Sequence, residues 1–363
     1  MAVQDLGIYF PQENETIVRY HLNNIAGRAS EYWSYYTNSD VFIQSQHQRR
    51  VAFFHIPFPY HSSFEQQVDA VYDHCDCVII LGSELHPAIV NFIRKFDRSR
   101  IWYFTCGFIQ NPKLLNAHTY NLFDWFITSV HFYKNHRPST LYELNPYDVK
   151  PLMFDALLGR KKPHRQRAYE YIQNNDLIDK GITTYVNSYD FDIQGKDEST
   201  WIWESNGLEG QENVEWTVDR VKYYGYPMSL SQVIPINVYN QTAYSLVCET
   251  NFENDYVFFT EKTVKPILAR RLFVMISHQH ALAKLREIGF KTFDGIIDES
   301  YDDMEGALPR HEAAMEQLNW LCKQDQRTIL DKCRPIVEHN FNHMYASDWY
   351  HQFTGPMSRI LFD

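Results

Sequence analysis

The chain has 363 residues, 44% hydrophobic and 22% charged, a balance that suits two medium-sized globular domains and excludes a low-complexity or disordered chain. Its formal net charge of -11 argues against a protein that grips long nucleic acid by its phosphates, which takes a basic surplus, and leaves only local basic patches for such a role. No apolar run approaches the roughly 18 residues of a membrane span, and the N-terminus has no basic and apolar signal-peptide pattern.

Leu6–Phe10 reads as a short strand and Glu15–Tyr36 as mainly helical. Arg50–Ile56 is a predicted strand, closed by Pro57-Phe-Pro59. Phe64–Cys75 has helical periodicity, and Cys77–Leu81 is a strongly apolar strand. The turn Gly82-Ser-Glu-Leu-His-Pro87 follows, with Pro87 near the start of a helix that runs to about Phe96. Ile101–Thr105 and Leu122–Ser129 are two further predicted strands. Strands alternating with helices over residues 1–145 give an α/β domain with a parallel sheet. No Gly-x-Gly-x-x-Gly fingerprint is present, so the usual dinucleotide-binding fold is not expected.

The stretch 139–150, flanked and broken by Pro138 and Pro146, is the expected linker to a second domain over 151–340. Pro151–Leu158 is that domain's first predicted strand. It runs into Gly159-Arg-Lys-Lys-Pro-His-Arg-Gln-Arg167, the densest basic cluster in the chain, which opens a helix to about Asn174. Arginine grips phosphate through two parallel hydrogen bonds, and a helix start adds free N–H donors. Lys161 and Arg165 are therefore candidate anion ligands; the alternative is a solvated basic loop. Ile182–Tyr185 is a strand, and Asp190–Asn213 is polar, irregular and long enough to be a functional excursion.

Tyr244–Ser277 organises the second domain as strand, polar loop, helix and strand. Tyr244–Cys248 is a buried-strand pattern and Glu249–Asp255 a loop. Thr260 is the expected N-cap of a helix to about Arg270, with Glu261 in its first turn, and Leu272–Ile276 is the next strand. Ligands of such a βαβ unit bind beyond the carboxyl ends of its strands, where both Glu249 and Thr260-Glu-Lys262 fall. Free N–H groups with Lys262 suit a diphosphate, and a carboxylate suits sugar hydroxyls. His280–Ile288 is then a helix with Gly289 as its C′ residue, and Lys291–Ile297 a strand. Leu308–Lys323 and Gln326–Asn340 are amphipathic helices, and residues 341–363 form an aromatic-rich tail.

The central stretch resembles the donor-binding segment of the alpha-1,3-fucosyltransferase-like glycosyltransferases. Their pattern is an apolar strand ending in Glu-Asn-Ser, a loop with Asp-Tyr, then Thr-Glu-Lys opening a helix. Glu249-Thr-Asn251, Asp255-Tyr256 and Thr260-Glu-Lys262 stand at these places. Thr250 replaces the family's Asn, and Leu272 replaces a Pro that often opens the last strand, so the likeness supports donor-site chemistry more than fucose as the sugar. The resemblance implies the GT-B arrangement of two Rossmann-like domains facing across a cleft, and Arg165 as the family's arginine after the first strand. It implies a nucleotide sugar held by Arg165, Lys161, Glu249, Asn251, Thr260, Glu261 and Lys262. The run Gly289–Tyr301 resembles glycosyltransferase-like proteins of large tailed phages. In GT-B proteins the last helix crosses back to the first domain, which is the expectation for 341–363.

The expected reaction is transfer of a sugar from a nucleotide sugar to a hydroxyl acceptor with inversion and without a tightly bound cofactor or metal. Glu253 and Glu261 also have a spacing common in retaining enzymes, but the register with Glu249 and Glu261 as donor ligands is preferred. An inverting enzyme needs a general base, and Glu84 and His86, after the strongest strand of the first domain, are its candidates, with His55 next. Asp190-Phe-Asp192 has the form of a metal-holding pair but sits ahead of the donor unit, and His74-Cys-Asp-Cys77 runs into a strand whose alternate residues point opposite ways. The six cysteines, Cys75, Cys77, Cys106, Cys248, Cys322 and Cys333, are scattered in mostly apolar runs and are expected to be reduced thiols in the cytoplasm, the host's if the chain is phage-encoded. The acceptor is a glycan or lipid-linked sugar, or a hydroxymethylated pyrimidine of phage DNA, whose extrusion would need a basic groove. A non-catalytic sugar- or nucleotide-binding protein is the rival of another class.

Overall fold

A continuous apolar strand is stable only where both of its faces are covered, and Cys77–Leu81 is such a run. In a computed structural model, which describes residues 8–9, 51–56, 63–73, 76–82, 85, 87–111, 113, 115–186, 214–216, 221–223, 226–228, 233–253 and 256–362, it lies inside a parallel sheet. The chain divides into two compact units, one of Met1–His131 with Asp348–Asp363, the other of Phe132–Ser347. The division falls ahead of the expected linker. Residues 139–150 instead pack within the second unit: Thr140 and Leu141 are buried, Asn240 holds the Glu143 carbonyl, and Gln326 holds the Lys150 backbone.

In the first unit β1 (Ile8–Tyr9), β2 (Val51–His55), β3 (Cys77–Gly82), β4 (Ile101–Thr105), β5 (Phe108–Ile109) and β6 (His118–Asn121) follow in chain order. All but β5 form one parallel sheet in the order β1-β2-β3-β4-β6. Helices α1 (Ser63–Tyr72) and α2 (Pro87–Ile93) supply Phe64, Val68, Ile89, Phe92 and Ile93 to a core shared with Val78, Ile80 and Tyr103. Gly82 ends β3 where a Cβ would stand 2.6 Å from the Tyr103 hydroxyl, so the close approach needs glycine.

Helix α3 (Asp124–His131) corrects the strand expected at Leu122–Ser129. A short apolar run does not tell a buried strand from a buried helix. Here Asn121 Oδ1 accepts the Phe123 N–H at 2.6 Å and turns the chain, Phe123 takes φ 51°, and the Ile127 N–H closes the first turn on the Phe123 carbonyl at 2.9 Å. The expected helix Glu15–Tyr36 lies outside the described residues.

The second unit holds β7 (Leu152–Arg160), α4 (Pro163–Asn174), β8 (Gly181–Val186), the antiparallel meander β9 (Val214–Trp216), β10 (Val221–Tyr223) and β11 (Tyr226–Met228), then α5 (Ile236–Gln241), β12 (Thr242–Cys248), β13 (Tyr256–Val257), α6 (Glu261–Leu268), β14 (Phe273–Ile276), α7 (Ala281–Glu287), α8 (Ala307–Leu321) and α9 (Gln326–Ala346). Its main sheet is parallel, in the order β14-β12-β7-β8. Every residue of β12 is buried, as an interior strand requires. The strand expected at Lys291–Ile297 is reduced to one bridge between Asp294 and Ile297. Side chains capture its backbone instead: the Lys291 N–H donates to Asn340 Oδ1 and the Phe293 N–H to Glu299 Oε1. The last helix, Trp349–Phe362, lies in the stretch assigned to the first unit. The molecule is thus a mixed α/β protein with parallel sheets, and among the described residues no helix is long and apolar enough to cross a membrane.

Candidate functional site

Because β14, β12 and β7 are parallel neighbours, their carboxyl ends deliver Ser277, the Glu249–Phe252 loop and the Lys161-Lys162 turn to one edge of the sheet. β7 ends in an irregular register between Leu157 and Arg160, where Gly159 takes φ +60°, a conformation that favours glycine. That kink leads straight into α4. A Cβ on Gly159 would meet Arg165 Nη1 only at ordinary contact, 3.6 Å, so the positive φ rather than space is what favours glycine here.

Glu249 is fully buried, and its carboxylate faces inward. Oε1 accepts from the Thr260 N–H at 2.9 Å and Thr263 Oγ1 at 2.6 Å; Oε2 accepts from Thr260 Oγ1 at 2.7 Å and the Thr250 N–H at 3.2 Å. These bonds occupy the carboxylate that was expected to meet sugar hydroxyls. Its part is to fix the loop onto the first turn of α6, a positioning role. Thr260 is the N-cap of α6, as expected, and accepts the Lys262 N–H at 3.3 Å.

The Lys262 ammonium donates to Glu261 Oε1 at 2.7 Å and to Thr260 Oγ1 at 3.1 Å, with its side chain 21% exposed. Burial works to raise the Glu261 pKa, but the charges of Lys262 and Lys265 outweigh it, so the carboxyl is held below its usual value and ionised. Lys162 reaches from the start of α4 to the Thr250 carbonyl at 2.9 Å. His164 donates from Nε2 to the Glu249 carbonyl at 2.9 Å, and its ring stacks on Phe252. Burial, helped by Arg165 beside it, pushes the His164 pKa down to about 3, so the ring is neutral and carries its proton on Nε2. Arg310, from α8, closes the loop from the other side, donating to the Phe252 carbonyl at 3.0 Å and the Ser277 carbonyl at 3.3 Å. His311 donates to the His164 carbonyl at 2.8 Å.

Lys162, Arg165, Lys262 and Lys265 therefore gather at these strand ends around the carboxylates of Glu249 and Glu261, with Arg310 on the Phe252 and Ser277 carbonyls beside them and facing Asp302 and Glu253. Arg165 is 4% exposed, and Lys161 is half-buried. This is a local concentration of cations in a chain whose net charge is -11. Asn251 is buried in the same loop. Glu253 lies on the exposed rim, 4.0 Å from Arg167.

His164, Arg310, His311 and Ser277 were not among the residues singled out in the sequence. His164 sat in the basic run that was, but Arg310 and His311 lie on a separate helix with no motif around them. Of the candidate bases, Glu84 and His86 lie outside the described residues, and so do Asp190, Asp192 and His74. Among the described residues, ligand atoms of His280, Asp302 and Asp303 lie within 4.8 Å of one another. Their bonding is structural: Asp302 accepts the N–H groups of Leu282 and Ala283 at the start of α7, and His280 pairs with Asp303. No protein-family model matches the chain, and no curated protein or solved structure matches it either.

Proposed function

We propose that the chain is a glycosyltransferase of the class built from two Rossmann-like domains, resembling the alpha-1,3-fucosyltransferase-like family. It moves a sugar from a nucleotide sugar to a hydroxyl, with inversion and without a tightly bound metal or cofactor. The observation that carries this reading is the meeting of Arg165, Lys162 and Lys262 with the capped start of α6 at the carboxyl ends of β7 and β12. Cations and helix N–H groups so placed stabilise a leaving diphosphate. Glu261, ionised beside Lys262, is the carboxylate left for sugar hydroxyls once Glu249 is spent on the loop. The general base comes from Glu84 or His86, the acceptor is a glycan or a hydroxymethylated base of phage DNA, and the protein works in the cytoplasm.

Calorimetry with UDP and GDP tests the reading. The parent chain is expected to bind one of them, and Lys262→Ala to bind it with about 1.5–3 kcal/mol less free energy, the scale of a charge-assisted hydrogen bond. Circular dichroism of the variant checks that α6 still forms. Failure of the parent to bind any nucleoside diphosphate or nucleotide sugar would overturn the reading, and equal affinity in the variant would remove Lys262 from the site.

A further inference from the structure

Arg310 and His311 are adjacent residues of α8, a helix without a recognisable motif, yet both reach the segments that bear the cations. Arg310 is buried and directs its donors to four carbonyls: Nε to Ser277 at 3.3 Å, Nη1 to Met304 at 3.2 Å and Gly306 at 3.3 Å, and Nη2 to Phe252 at 3.0 Å. His311, also buried, donates to the His164 carbonyl at 2.8 Å, and His164 donates in turn to the Glu249 carbonyl at 2.9 Å. The loop after β12 is therefore held at both ends from α8, at Phe252 directly and at Glu249 through the start of α4.

The buried Phe252 ring lies inside this frame. It stacks on the His164 ring at 5.2 Å, meets His311 edge-on at 5.8 Å, and has the Arg310 guanidinium 5.0 Å from its centre. A close-packed ring transmits displacement, so the loop cannot shift without moving α4 or α8. Each held segment carries part of the cation cluster. The start of α4 bears Lys162 and Arg165, and Glu249 fixes the capped start of α6 and with it Lys262.

We infer that Arg310 and His311 are positioning residues of the proposed anion site, through which α8 sets the spacing between the cations at the start of α4 and Lys262 at the start of α6. The inference rests on the nucleotide-binding reading above. An arginine suits the task because its rigid fork of five donors bonds several carbonyls at once. Burial lowers the His311 pKa, so its ring is neutral and contributes a bond to the frame rather than a charge to the anion. Fixed spacing strengthens binding because cations already in place need no reordering when the anion arrives.

The test is calorimetry on the full chain with inorganic pyrophosphate, UDP and GDP. Arg310→Ala and His311→Leu are each expected to weaken binding of the probes that the parent binds by about tenfold. His311→Gln, whose amide keeps an N–H for the His164 carbonyl, should return affinity to within about twofold of the parent's. Met315→Ala opens a cavity in the same helix, at a side chain that makes none of these bonds, and should lower the thermal midpoint with affinity unchanged. Arg310→Ala combined with Lys262→Ala should lose less than the two single losses together, because a residue acting through the lysine then has nothing left to place. If Arg310→Ala does not fold, the His311 pair decides. The positioning role is refuted if both single variants bind as the parent does, if His311→Gln is as weak as His311→Leu, if Met315→Ala weakens binding equally, or if the Arg310 and Lys262 losses add in full. Binding by the parent with any of these results leaves the nucleotide reading standing, whereas a parent that binds no probe refutes both.

Discussion

His164 and Asp124 are single residues whose burial sets opposite pH responses in the two units. His164 is neutral in the folded chain, its pKa pushed down to about 3 from 6.5 by burial and by Arg165. Below about pH 6.5 the unfolded chain takes up a proton that folded His164 refuses, so its contribution to stability is present above that pH and lost as pH falls toward 3. Asp124 opens α3 in the first unit with Oδ1 buried and unpartnered, and burial raises its pKa from 3.8 to about 7. Here the folded chain holds a proton that the unfolded chain has released, so the contribution is present at low pH and lost as pH rises from about 4 to about 7. Denaturant titrations at several pH values should separate the two. His164→Gln, which keeps an N–H for the Glu249 carbonyl, is expected to remove about 2 kcal/mol of the acid sensitivity between pH 7 and pH 5. Asp124→Asn should remove a loss on the order of 2–4 kcal/mol between pH 4 and pH 8. Variants with the parent's pH slopes would show that these two groups do not set them.

At the level of elements, β7, β12 and α5 are tied by one buried ion pair whose partners are far apart in the sequence. Arg271 donates to Asp155 Oδ1 at 2.7 Å, to Ser245 Oγ at 3.0 Å, and to the carbonyls of Tyr239, Thr242 and Tyr244. Ser245 and Thr242 also donate to Asp155 Oδ1. Burial raises the Asp155 pKa against the opposing charge of Arg271, so the carboxylate depends on its guanidinium. Arg271→Leu is expected to cost about 3–5 kcal/mol, and Asp155→Leu with Arg271→Leu markedly less, because no charge is then left unpaired. Urea titrations that find the double variant as damaged as the single one would show that packing, not the lone charge, dominates. The same elements show what a sequence discloses. Apolar runs bounded by turns located β3, β4, β7, β12 and β14, because burial on both faces writes itself into consecutive residues. The Thr260 cap and the basic start of α4 were legible because their chemistry is local. Asp155, Arg310 and the inward turn of Glu249 were not, since each depends on a partner that only the fold supplies. Leu122–Ser129 was misread because its apolar run suits a helix as well as a strand, and the Asn121 turn that decides between them is one residue upstream.

Across the whole molecule, the chain leaves the first unit at His131, builds the second, and returns at Asp348. The first unit is therefore closed by its own last segment. Trp349, 2% exposed, seats its ring 5.2 Å from Phe123 and edge-on to Phe126 at 4.9 Å. Those two phenylalanines flank Asp124 at the start of α3, so the segment covers the helix whose carboxyl burial pushes up to about 7. Truncating a buried tryptophan costs about 3–5 kcal/mol where the site cannot collapse. The residues of the proposed anion site belong to the second unit, and their bonds do not involve Trp349. Trp349→Ala should thus loosen the first unit selectively. In limited proteolysis read by mass spectrometry, cleavage within residues 87–131 is expected to accelerate well beyond cleavage within residues 233–346, because local opening follows local stability. Nucleotide affinity of the variant should stay near the parent's if the second unit holds the ligand alone. Equal acceleration in both stretches would show that the two units unfold as one cooperative body and that the last helix supports the whole chain.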